Sequence, residues 1–323
     1  MSHEVQTMAF VGELPWHGLG HKLPAGKSIE EWKKAAGLEW LIKRSPIKYS
    51  TPDKSITANV QEYPDFGVLY RSDNGAALSI VGNGYKIVQP GEVLEFYRDL
   101  VTAAGGFNLE TAGVLKGGRK IWALARRKGE LKVDGKDILL PYLLLATSCD
   151  GSLATTAKFT TVRVVCNNTL QMSIGARNES SIRVPHKREF DPKAVKKELG
   201  LIDDTFHEFE ANVVKLAKCK VSQKDATRYF VELLAKDDEV KSFDKDGETS
   251  RTVKSLMELF TQGPGSTLKS ANGTAWGLVN CVTRFYDHER NSRSLDNKLN
   301  SAWFGKGNRM KDRAMVSALK LVA

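Results

Sequence analysis

The feature that most constrains this chain is a change of period. From Gly67 to Asn167 the apolar residues come in short runs separated by turn formers, and from Asp191 onward they recur at helical spacing. Strands followed by helices, without βαβ alternation, define an α+β protein. The expected architecture is an antiparallel β-meander with packed helices in the N-terminal region and an all-helical C-terminal region. The corresponding domains are 1–185 and 186–323, joined by a polar, basic linker over Ser180–Asp191.

Local signals place the elements. Ser28 stands three residues before Glu31, a capping box that starts a short helix over Ile29–Ala36. Glu39–Tyr49 reads as a strand. Ser72-Asp73-Asn74-Gly75 turns the chain between Gly67–Arg71 and Ala76–Val81. Pro90 opens a helix to about Ala104. Phe107–Leu115, Lys120–Arg127, Leu131–Val133, Ile138–Thr147 and Ala157–Cys166 form the meander. Asn167-Asn168-Thr169 caps a short helix carrying Leu170, Met172 and Ile174. Helices follow from Asp191 to Lys218 with a break at Gly200, from Ser222, over Thr252–Thr261, over Thr274–Asp287 and over Met310–Leu321. The charged stretch Lys236–Ser250 is a loop.

The composition excludes several classes. No apolar run reaches the roughly 18 residues of a membrane span, and the N-terminus lacks a basic-then-apolar export signal, so a cytoplasmic protein is expected. The four cysteines, Cys149, Cys166, Cys219 and Cys281, include no C-x-x-C pair. A disulfide framework or zinc site is not expected, and Cys149, Cys166 and Cys281 read as small buried hydrophobes.

Three motifs invite chemistry. Gly26-Lys27-Ser28 resembles the end of a P-loop, but His21 stands where its first glycine belongs, and Ser28 is better explained as a helix cap. His17 and His21 are four apart, but Gly18 and Gly20 argue against the helix that would bring them together, and no third ligand presents itself. Cys149 precedes Asp150 without an assignable histidine base. No catalytic residue, metal or cofactor is expected.

Charge is the stronger signal. The chain carries 48 Lys and Arg against 38 Asp and Glu, a formal charge of +10, which favours polyanions. Arg126, Arg127 and Lys128 end one strand of the meander, and Lys158 and Arg163 lie on a later one. On an open sheet face they would follow a phosphate backbone; the same charges serve equally to protect a strand edge. Between Lys269 and Ala323 there are ten Lys and Arg against four acids, interleaved with Trp276, Phe285, Tyr286, Trp303 and Phe304. Cations for phosphates beside aromatic rings suit single-stranded nucleic acid, although Trp276 and Phe285 also sit at helical core spacing. Arg284, Arg290, Arg293, Lys306 and Arg309 are the candidates here, the last two in a flexible basic turn, Gly305–Arg309.

Four blocks carry a family resemblance: Pro15-Trp16-His17-Gly18-Leu19-Gly20, Tyr85–Gln89, Arg163–Leu170, and Trp276-Gly277 with Asp287-His288 and Ser301–Gly305. In this order they resemble the phage/plasmid-like protein family, a domain of unknown function, domain 932. The resemblance implies a phage or plasmid origin and action inside a bacterial host, and transfers no catalytic residue. The order helix, antiparallel meander, helix over Gly91–Ala176 is similar to the core of Rad52-type single-strand annealing proteins. That likeness implies a homo-oligomer, a ring or filament, holding single-stranded DNA by its backbone for annealing and recombination. The competing expectation is an oligomeric interaction protein that binds and inhibits a host factor.

Overall fold

In the computed structural model, the structure describes residues 7–12, 20–51, 59–102, 106–163, 165, 168–171, 181–200, 204–234 and 249–322. The strands are β1 (Thr7–Phe10), β2 (His21–Lys22), β3 (Ile42–Thr51), β4 (Asn59–Arg71), β5 (Ala77–Gly82), β6 (Phe107–Leu115), β7 (Lys120–Arg127), β8 (Leu131–Asp134), β9 (Asp137–Ser148), β10 (Thr155–Arg163), β11 (Asn168–Gln171) and β12 (Ser181–Val184). The helices are α1 (Ile29–Ala35), α2 (Pro90–Thr102), α3 (Pro192–Gly200), α4 (Asp204–Lys218), α5 (Gln223–Leu234), α6 (Arg251–Gln262), α7 (Ala275–Arg284), α8 (Leu295–Phe304) and α9 (Lys306–Leu319). A π-helical turn, Phe285–Glu289, extends α7. Among the described residues, no helix is long and apolar enough to cross a membrane.

The chain is α+β, but the expected N-terminal antiparallel meander is corrected. Nine strands form one sheet in the order β11-β10-β9-β7-β6-β1-β2, with β12 on β10 and β8 on β9. The sheet is mixed, because β1 runs antiparallel to β6 but parallel to β2, pairing Ala9 with His21. A separate three-stranded sheet has the order β3-β4-β5. Two local expectations fall with the meander. Asn168–Gln171 is not a capped helix but β11, paired with Thr160–Arg163. Ser181–Val184 is not linker but β12, which pairs with β10. In both places ladder hydrogen bonds to β10 satisfy the backbone, and a partner distant in sequence overrides local propensity.

The chain divides into two compact units, one of Met1–Arg126, Leu143–Ala157 and Ile182–Lys197, the other of Arg127–Tyr142, Lys158–Ser181 and Glu198–Ala323. In the first, Ser28 caps α1 as expected. Its hydroxyl accepts from the Glu31 N–H, and the Glu31 carboxylate accepts from the Ser28 N–H at 2.9 Å. The segment Gly26-Lys27-Ser28 is therefore a helix entry, with Lys27 paired to Glu31 at 2.6 Å. Helix α2 buries Val93, Leu94, Phe96 and Tyr97. The Tyr97 hydroxyl lies 2.9 Å from the Ala123 carbonyl and 3.0 Å from that of Leu143, which fixes α2 over β7 and β9. His186 stacks on Tyr85 at 4.4 Å, with Nδ1 3.0 Å from the Lys86 carbonyl and Nε2 3.0 Å from that of Leu153.

In the second unit α7 is the core helix, buried from Ala275 to Thr283. Thr274 caps it, accepting from the Gly277 N–H at 3.1 Å. The buried Asp137 carboxylate accepts from Ser270 Oγ at 2.6 Å and from Trp276 Nε1 at 3.0 Å, tying β9 to α7. The Tyr229 hydroxyl donates to the Ala314 carbonyl at 2.6 Å and joins α5 to α9. Helices α8 and α9 meet at Gly307, where a Cβ would stand 2.9 Å from the Ser301 carbonyl oxygen. The charged stretch Lys236–Ser250 lies outside the described residues up to residue 248.

Candidate nucleic-acid interface

Helix α9 turns one face inward and one outward. Met310, Ala314, Met315 and Ala318 are buried. From residue 306 to residue 320 the exposed positions are Lys306, Arg309, Arg313 and Lys320, each of them basic. Steps of three and four residues put the first three in one line along the helix. At the α-helical rise of about 1.5 Å per residue, Lys306 and Arg313 are about 10 Å apart along the axis and Lys320 is about 10 Å further. The one acid in this helix, Asp312, accepts from Asn308 Nδ2 at 3.2 Å.

This arrangement corrects the flexible turn expected at Gly305–Arg309. Gly305 is the N-cap of α9, and the helix begins at Lys306. Gly305 brings no side-chain cap, and the first turn carries no acid. The macrodipole places partial positive charge there, so Lys306 and Arg309 stand where a helix is stabilised by anions.

The fixed orientation of α9 comes from beneath. Lys311 donates to the Asp287 carboxylate at 2.7 Å, and both side chains are buried. Lys298 donates to the His288 carbonyl at 2.6 Å, which ties α8 to the same π-helical turn.

The other sequence candidates are dispersed. Arg284 pairs with Glu289 at 2.9 Å. Arg290 lies over the Tyr286 ring at 5.5 Å and reaches Ser301 Oγ at 3.4 Å. Arg293 is exposed in the turn before α8. At the end of β7, Arg126 pairs with Glu110 at 3.7 Å, Arg127 is half-buried and Lys128 is exposed. Lys158 is buried. Its ammonium donates to the Trp303 carbonyl at 3.1 Å and sits 5.8 Å from the Phe304 ring centre, so it cannot reach a phosphate from an open face. The Arg163 side chain lies outside the described residues. Of the interleaved aromatics, Trp276 and Tyr286 are buried, and Phe285, Trp303 and Phe304 are half-buried.

Reading by residue counts misses Arg313 and Lys320 as members of a line. The signal lies in the complement of the apolar register Met310–Ala314–Ala318.

Cys149 is buried, and burial pushes its thiol up to about 12, with Asp150 adding to the rise. The thiol is therefore protonated and a poor nucleophile at neutral pH. His17 lies outside the described residues, and His21 is exposed on β2. Among the described residues no group of three His, Cys, Asp or Glu is placed to hold a metal ion.

A family model described as "Domain of unknown function (DUF932)" matches residues 77–303. The chain belongs to the DUF932 family. No curated protein and no solved structure matches it. The DUF932 span takes in the end of β7, the core helix α7 and the Asp287 turn. Strands β3 and β4 and helix α9, with its line of basic residues, lie outside it.

Proposed function

We propose that this chain binds nucleic acid through its phosphates, with single-stranded DNA preferred. The fuller form of the reading is a phage- or plasmid-encoded annealing or recombination factor. It works as a homo-oligomer in the bacterial cytoplasm and needs neither nucleotide nor metal.

The observation that carries the reading is the line Lys306, Arg309, Arg313 and Lys320, because every exposed position of that segment is cationic. An anion near the first turn would stabilise this helix, and the helix brings none of its own. Bound phosphates supply the missing anions, and displaced counterions drive the association. Arg293 and Lys128 are further exposed cations for the same role.

The test is a titration of labelled single- and double-stranded DNA across a salt series, without nucleotide or metal. Expected is tight binding that weakens steeply with salt. In Lys306→Ala/Arg309→Ala/Arg313→Ala/Lys320→Ala the single-strand slope of log K against log salt should fall by about 3, at about 0.7 for each phosphate no longer neutralised. Unchanged affinity and slope would remove α9 from the interface. No binding by the parent protein at low salt would end the nucleic-acid reading and make a host protein the partner to seek.

A further inference from the structure

Among the described residues, the aromatic rings most open to solvent are not in the helices. Tyr49, Tyr63 and Phe66, each between 42% and 44% exposed, lie on β3 and β4 of the three-stranded sheet. Register places them together. Tyr49 pairs with Gln61, Ile47 with Tyr63, Ser45 with Val68 and Lys43 with Tyr70, while Val68 also pairs with Ile80 on β5. Directly opposed residues in an antiparallel pair share a face, and alternate residues of a strand return to it. Tyr49, Tyr63, Phe66, Tyr70 and Ile80 therefore share one face, and Ile80 is 64% exposed.

That face has a definite charge character. Among the described residues of β3 and β4, its one ionisable cation is Lys43. Glu62, an acid of β4, opposes Lys48 on the other face. Its shape is equally definite. Pro46 pairs with Gly67 but Ile47 pairs with Tyr63, so β4 carries three extra residues, 64–66, between neighbouring positions of β3. A bulge bends its strand, and Phe66 belongs to it, with its ring centre 5.9 Å from that of Tyr63 and the two planes 34° apart.

We propose that this face is a stacking platform for unpaired bases of a single strand, an inference that rests on the nucleic-acid reading above. Exposed rings offer sequence-tolerant stacking to bases, and lysine without a facing carboxylate accepts the phosphates between them. A duplex keeps its bases stacked on each other, so the platform selects single strands.

The experiment uses the full chain and two labelled probes of about 20 nucleotides, one an ordinary single strand and one abasic throughout, which keeps the phosphates and lacks the rings. The variant Tyr63→Leu/Phe66→Leu keeps an apolar surface and removes both rings. A thermal melt confirms that it folds, and Tyr49→Leu provides an independent second variant. Expected is about a tenfold or greater preference of the parent protein for the base-bearing strand, lost in the variant, with the salt slope unchanged. Parent-like binding by both variants would overturn the platform while leaving the phosphate reading intact. Failure of the parent protein to bind either probe would instead overturn the nucleic-acid reading, and the platform with it. A concentration-dependent dimer abolished by the variant, with DNA affinity unchanged, would assign the face to a second copy and overturn the proposal.

Discussion

Lys311 and Asp287 form an ion pair of 2.7 Å with 1% and 4% of their side chains exposed, directly beneath the basic line of α9. Two charges removed from water are costly to separate. Asp287→Asn or Lys311→Met should each cost about 3–5 kcal/mol of unfolding free energy, because each takes the opposite charge at 2.7 Å away from a buried ion. Replacing both at once, Asp287→Leu with Lys311→Met, should recover most of that loss. Urea unfolding of the three variants checks the cycle. Additive losses in the double variant would show that the two residues act separately.

Lys306 makes opposite demands on stability and binding. Lys306→Glu places an anion at the N-terminus of α9, which should stabilise the protein by about 0.3–1 kcal/mol. The same change should weaken DNA binding and reduce its salt dependence. Paired urea and binding titrations on one preparation measure both. A variant that loses stability would mean that the lysine has an intramolecular anchor stronger than the dipole.

Acid sensitivity should be traceable to Glu95. The Arg98 guanidinium, hydrogen-bonded at 2.6 Å, holds its carboxyl down to about 2 against the opposing effect of burial, with help from Lys33. Because the folded value lies below the unfolded value of about 4.3, the ionised form favours the folded state. The contribution is complete above about pH 4.3 and is lost as pH falls towards 2. Its size should be below about 1 kcal/mol, because the group is partly exposed and screened by solvent. Glu95→Gln should flatten this part of the stability–pH curve and leave neutral pH slightly less stable. An unchanged acid limb would assign the sensitivity elsewhere.

Much of the first unit is legible one segment at a time. Ser28 with Glu31, the turn at 72–75 and Pro90 each state a local rule that the chain obeys. What escapes such reading is pairing between distant residues. Asn168 carries the same capping chemistry whether it begins a helix or a strand, and only the presence of β10 decides. Lys158 looks like a surface cation until Trp303 and Phe304 arrive to cover it. The basic line on α9 is legible in principle, since four cations fall where the apolar register does not. The stacking face is harder to see, because the three extra residues of β4 break the alternation that would reveal it.

The distances along the chain between these partners have a consequence for synthesis. Asp137 waits for Ser270 and Trp276, 133 and 139 residues later, and Lys158 waits for Trp303, 145 residues later. A ribosome moving at roughly 5–20 residues per second leaves those contacts unmade for many seconds. The second unit therefore cannot mature while the chain is being made, and Asp137 and Lys158 spend that interval without the contacts that tie them to its helices.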